Sequence, residues 1–132
     1  MATAEAAREN ASGKTQAARA KAGPTGVSVH PSTLPIAYTR IPSVHWKPFA
    51  TLVLDAAYEA TMLAALLNKR RGASGVVLLT LLGGGVFGNE AEWINAAIRR
   101  ALGLMSGFGL EVKLVSYGTP SRETLQIVKD FE

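Results

Sequence analysis

The feature that most restricts the fold is a run of seven apolar or weakly polar residues, 76–82, followed at once by Gly83-Gly84-Gly85. The run has strand length and does not alternate, the pattern of a strand covered on both faces, as in a parallel sheet. The segment after it reads G-G-G-V-F-G-N over residues 83–89 and leads into a helical pattern carried by Trp93, Ala97, Ile98 and Ala101. Asn89 with Glu92 three residues on has the form of a capping box. A buried strand, a glycine loop and a helix start in that order place the loop at the carboxyl end of the sheet, where open α/β folds bind ligands.

Glycine permits positive φ and lets backbone amides approach a ligand closely. Successive amides in such a turn can cradle an anion, and the N-terminus of the following helix adds its dipole. Gly83, Gly84, Gly85, Val86, Phe87, Gly88 and Asn89 are therefore candidate phosphate-binding residues. Glu90 and Glu92 repel an anion placed over the helix itself, so the expected position is over residues 84–88. The competing reading is a glycine turn that only permits tight packing.

Around this unit the chain orders as α-β-α-β-α. Residues 46–68 form the longest helical pattern, with Phe49, Val53, Ala56, Ala57, Ala60, Ala64 and Leu67 on one stripe and Leu52, Leu63 and Leu66 widening it. Most of that helix is expected to be buried. Ser43 is a suitable N-cap, and Lys69, Arg70, Arg71 and Gly72 suit a helix end. Residues 112–117 read as a second strand. Thr119-Pro120 opens a last helix with Leu125 and Val128 inward. Residues 1–26 are poor in large apolar side chains and read as a flexible tail. Residues 27–132 form one α/β domain whose small sheet leaves an edge open to a protein partner or a second copy.

Composition removes several function classes. A length of 132 residues suits one domain, and 48% apolar with 18% charged residues supports a core. A net charge of +4 is too small for a nucleic-acid binder's basic stripe. With no cysteine there is no thiol nucleophile, disulfide or cysteine zinc site, and His30 and His45 have no metal-ligand spacing. No cofactor, metal or catalytic residue is expected. Asp55 and Glu59 in the apolar run 49–67 argue against a membrane span, and the N-terminus has no secretory h-region. An intracellular location, cytoplasmic or nuclear, is expected.

Two phosphate motifs fail on inspection. Ser12-Gly13-Lys14-Thr15 is similar to the end of a P-loop, but the position five residues before the Gly-Lys pair is Arg8. Gly83, Gly85 and Gly88 satisfy G-x-G-x-x-G, yet no acid stands at the end of the next strand, where Tyr117 and Gly118 lie.

Residues 27–132 resemble the C-terminal half of a macro domain. Val29-His30 stands at the family's first strand, the helix of residues 52–66 follows, Gly85-Val86-Phe87-Gly88 matches the G-[IV]-[YF]-G loop, and Tyr117 ends the last strand. The resemblance implies a partial three-layer sandwich with a small, mostly parallel sheet flanked by helices. It also implies binding of ADP-ribose or a related nucleotide diphosphate. Residues 84–88 would hold the diphosphate, Phe87 would lie along the distal ribose, and Tyr117 would stack on adenine. The family's adenine-reading acid and Asn-containing loop have no counterpart in residues 1–26, which implies binding without hydrolysis. The alternatives are a structural or assembly fragment of a larger α/β protein, without a ligand, and an ADP-ribosyl hydrolase completed by elements supplied from elsewhere.

Overall fold

A computed structural model describes residues 2–7, 34–38 and 40–132. The expected strand at Val29-His30 and the Ser12–Thr15 motif lie outside the described residues. The elements are β1 (Ala2–Ala7), a 3-10 turn (Ile36–Tyr38), α1 (Ser43–Arg70), β2 (Val76–Thr80), a 3-10 turn (Gly85–Phe87), α2 (Ala91–Leu104), β3 (Glu111–Tyr117) and α3 (Arg122–Asp130). This is a mixed α/β fold around a small parallel sheet.

β3 is the central strand. β2 pairs with it in parallel from Val76↔Glu111 to Thr80↔Val115, and β1 pairs on its other side from Ala2↔Val112 to Ala7↔Tyr117. The strand at Ala2–Ala7 departs from the tail expected there. Alanine has a weak strand preference, so nothing local announced it; its pairing is with a preformed edge of β3.

The burial of the sheet also departs from expectation. Val77 and Leu79 of β2, with Val112, Leu114 and Ser116 of β3, are buried, while Val76 and Leu78 are exposed. The helices contribute Leu54, Tyr58 and Met62 from α1, Trp93, Ile94, Ile98 and Leu102 from α2, and Ile127 from α3 to one core with those strand residues. Among the described residues the helices therefore cover one sheet face. The unbroken apolar run at 76–82 does not mark a strand covered twice.

α1 buries Ala50, Leu54, Tyr58 and Met62, one residue every four, and exposes Phe49, Leu52, Leu63 and Leu67. The inward stripe is thus on the opposite side from the one the apolar pattern suggested. The helix is apolar nearly all round, so its pattern does not fix which side faces in. By length and composition α1 is also long and apolar enough to cross a membrane, which the shorter run 49–67 did not suggest. Trp93 is a core anchor, as its position in α2 predicts.

Helix ends differ in detail. Ser43 is the first residue of α1 and Pro42 its cap. α3 is capped by Ser121, whose Oγ accepts the Thr124 amide at 3.1 Å. Leu125 is exposed, and Thr124 and Ile127 face inward with Val128.

Candidate functional site

The loop after β2 is shaped by three glycines in the left-handed region: Gly83 (φ 70), Gly85 (φ 67) and Gly88 (φ 75). Gly84 between them is extended. The Gly88 amide donates to the Gly85 carbonyl and the Asn89 amide to the Gly83 carbonyl, each at 3.0 Å. Among the described residues the Gly85 amide has no hydrogen-bond partner. A Cβ built on Gly85 would meet nothing within 4 Å, so the space over it is open. Gly88 is different: a Cβ there would lie 2.9 Å from the backbone nitrogen and Cβ of Ala37. That glycine lets the turn Ile36–Tyr38 pack against the turn Gly85–Phe87.

Asn89 does not form the expected capping box. Glu90 occupies the cap position and makes no side-chain cap bond. Asn89 instead turns inward and is buried; its Nδ2 donates to the carbonyls of Leu34 at 3.0 Å and Gly83 at 3.1 Å. Closing the loop on itself satisfies three donors and acceptors that a cap would leave apart. The Asn89 Oδ1 is buried with no hydrogen-bond partner among the described residues. It is an acceptor aligned to no donor, the kind of atom that a bound water or ligand donor completes.

Tyr58, which the sequence reading did not select, fixes the strand leading into the loop. Its hydroxyl donates to the Thr80 carbonyl at 2.7 Å and accepts the Leu82 amide at 2.9 Å. Burial pushes its pKa up to about 12, against the opposing effect of the Leu82 amide. A polar-tipped aromatic between Leu54 and Met62, at four-residue spacing in an apolar helix, was the available signal.

The helix starts gather at this end of the sheet. The Ser43 hydroxyl donates to Glu90 Oε1 at 2.8 Å, and Lys47 Nζ lies 4.0 Å from Glu92 Oε1. These contacts bring the N-terminus of α1 beside that of α2, and α3 begins after β3 at the same end. Each acid near the loop thereby has a local partner that moderates its repulsion of an anion. Phe87 is about half exposed. Tyr117 is 87% exposed, and strand alternation puts its side chain on the helix-free face of the sheet. The structure thus draws residues 83–89 into one loop and leaves Tyr117 at the end of the neighbouring strand, facing solvent.

Asp55 and Glu59 are not aimed at the loop. Arg100 of α2 takes both, with Nε 2.5 Å from Glu59 and 3.9 Å from Asp55. Among the described residues no group of acids and histidines could hold a metal ion. A cleft of about 230 Å³ lies at the other end of the sheet, against Met62, Leu102, Met105, Val112 and Phe131. It is remote from the glycine loop. The left-handed glycines, the unengaged Gly85 amide and the orphan Asn89 Oδ1, not cavity volume, single out the loop among the described residues.

No known family model, curated protein or solved structure matches this chain. The macro-domain resemblance therefore rests on the residues alone.

Proposed function

We propose that the loop of residues 83–89 binds the phosphates of a nucleotide diphosphate, ADP-ribose being the ligand the sequence resemblance favours, and that the chain binds without catalysis. The observation that carries this reading is the run of left-handed glycines Gly83, Gly85 and Gly88, with the Gly85 amide unengaged among the described residues and open space over Gly85. A glycine loop at the carboxyl end of a parallel sheet, with an amide left to donate outward, suits a phosphate oxygen. The orphan Oδ1 of Asn89 adds an acceptor for a ribose hydroxyl or a bridging water. Phe87 offers an apolar side wall, and Tyr117 a solvent-facing ring for a base.

The test is calorimetry of the whole chain against ADP-ribose, ADP, NAD and inorganic phosphate. Micromolar binding of ADP-ribose and weaker binding of phosphate are expected. Gly85→Val should move ADP-ribose toward millimolar affinity. A β-branched residue is strained at φ 67 by about 1–3 kcal/mol, and each lost charge-assisted amide contact costs about 1.5–3 kcal/mol. Phe87→Ala should weaken binding less, since the amides remain. A folded Gly85→Val chain that binds as tightly as the parent would make the loop a simple turn.

A second reading is an assembly protein that needs no ligand. The exposed apolar residues of α1 and β2 favour it.

A further inference from the structure

We propose that the outer side of α1, with the edge of β2 that pairs with no strand among the described residues, is the interface of a two-fold homodimer. Phe49, Leu52, Ala56, Ala60, Leu63 and Leu67 are all exposed. At ~100° per residue they fall within a stripe about 80° wide. It lies opposite the buried stripe of Ala50, Leu54, Tyr58 and Met62.

The order of sizes along the stripe identifies the occupant. Two large residues, two alanines and two large residues follow one another, centred on residue 58. A pattern that reads the same from either end is self-complementary in an antiparallel pair, the arrangement a two-fold axis imposes. The central alanines let the two backbones approach, and the leucines and Phe49 close the ends. The same axis, set perpendicular to the sheet, would bring β2 beside its copy in antiparallel orientation. β2 is the edge strand of β1-β3-β2, and its exposed Val76 and Leu78 stand next to that edge.

Area is consistent with two layers and not with one. The stripe is roughly 27 Å long and a helix about 10 Å wide, so α1 alone offers on the order of 300 Å². Adding a sheet layer about 10 Å away brings the face to on the order of 500 Å² per copy. The total then reaches the ~1,000 Å² that a specific interface needs.

Charge permits the pair and disfavours a lipid surface. Asp55 and Glu59 border the middle of the stripe and are held by Arg100. They would repel anionic headgroups in a bilayer. At the ends, Lys47 is engaged with Glu92, and Lys69 donates to the carbonyls of Phe108 and Gly109. The proposal is independent of the phosphate reading, because the stripe contains none of the loop residues.

Sedimentation equilibrium of the full chain across a concentration series tests it. A monomer–dimer equilibrium in the micromolar range is expected. Leu63→Glu should weaken it on the order of 100-fold by placing a charge in the interface. Ala56→Leu with Ala60→Leu is the discriminating variant. It adds apolar surface but blocks close approach, so it should weaken a specific dimer and would strengthen indiscriminate apolar association. Because the chain has no cysteine, Ala56→Cys with Ala60→Cys should yield a disulfide dimer and no larger species. A chain monomeric at every concentration, tighter association of the double-leucine variant, or recovery with vesicles of phosphatidylcholine and phosphatidylserine in place of dimerisation would each overturn the proposal.

Discussion

Tyr58 joins the longest helix to the strand that presents the glycine loop through the Thr80 carbonyl and the Leu82 amide. Tyr58→Phe keeps the ring but removes both hydrogen bonds, which should cost about 1–3 kcal/mol in chemical denaturation. The same phenol gives a pH signature. Its folded pKa of about 12 stands above the usual 10. Its contribution is therefore complete below pH 10 and is lost as pH rises from 10 through 12. That alkaline loss should be absent in Tyr58→Phe; an identical decline in both chains would mean that another group is responsible. Gly88→Ala should destabilise more than Gly85→Ala, because only Gly88 faces the Ala37 backbone at 2.9 Å. Melting temperatures of the two variants would check the order. The glycine positions and the loop were legible in the sequence because glycine's backbone freedom is local. The inward turn of Asn89 was not: it depends on the Leu34 carbonyl, 55 residues away in sequence.

The three helices differ in how fully their sequences declare their orientation. α2 was legible, since Trp93, Ala97, Ile98 and Ala101 form one apolar face against polar neighbours, and all four are buried. α1 declared its existence but not its inward side, because fifteen of the nineteen positions from 49 to 67 are apolar. What selects the side is the fit of Leu54, Tyr58 and Met62 into the space left by β2 and α2, a tertiary property. β2 poses the same problem, because Val76 and Leu78 are as apolar as the buried Val77 and Leu79. α3 is short and relies on its ends. The Ser121 hydroxyl holds the Thr124 amide, and Asp130 pairs with Arg99 of α2, which with Gln126 lowers the Asp130 pKa. Ser121→Ala should cost about 1 kcal/mol, as the loss of an N-cap generally does. A lowered thermal midpoint, with an unchanged slope in denaturant, would check it.

The fold divides its polar features between two ends. At the amino end of the sheet, Lys69 closes the turn before β3 through the carbonyls of Phe108 and Gly109. At the carboxyl end lie the glycine loop, the helix starts and the pairs Ser43–Glu90 and Lys47–Glu92. The proposed anion site lies at the second end, but hydrolysis of an ADP-ribose linkage also requires a group that activates water or the leaving oxygen. The acids within the loop's own helix start are Glu90 and Glu92, and each is drawn to a partner on α1. The expected outcome is therefore binding without turnover: an ADP-ribosylated protein incubated with the full chain should release no ADP-ribose above the rate in buffer. Glu90→Gln gives the check its force. If release occurs and disappears in that variant, Glu90 is the working acid and the non-catalytic assignment fails. If no release occurs while ADP-ribose still binds, the chain acts as a reader of its ligand, and loss of that binding in Gly85→Val would assign the reading to the glycine loop.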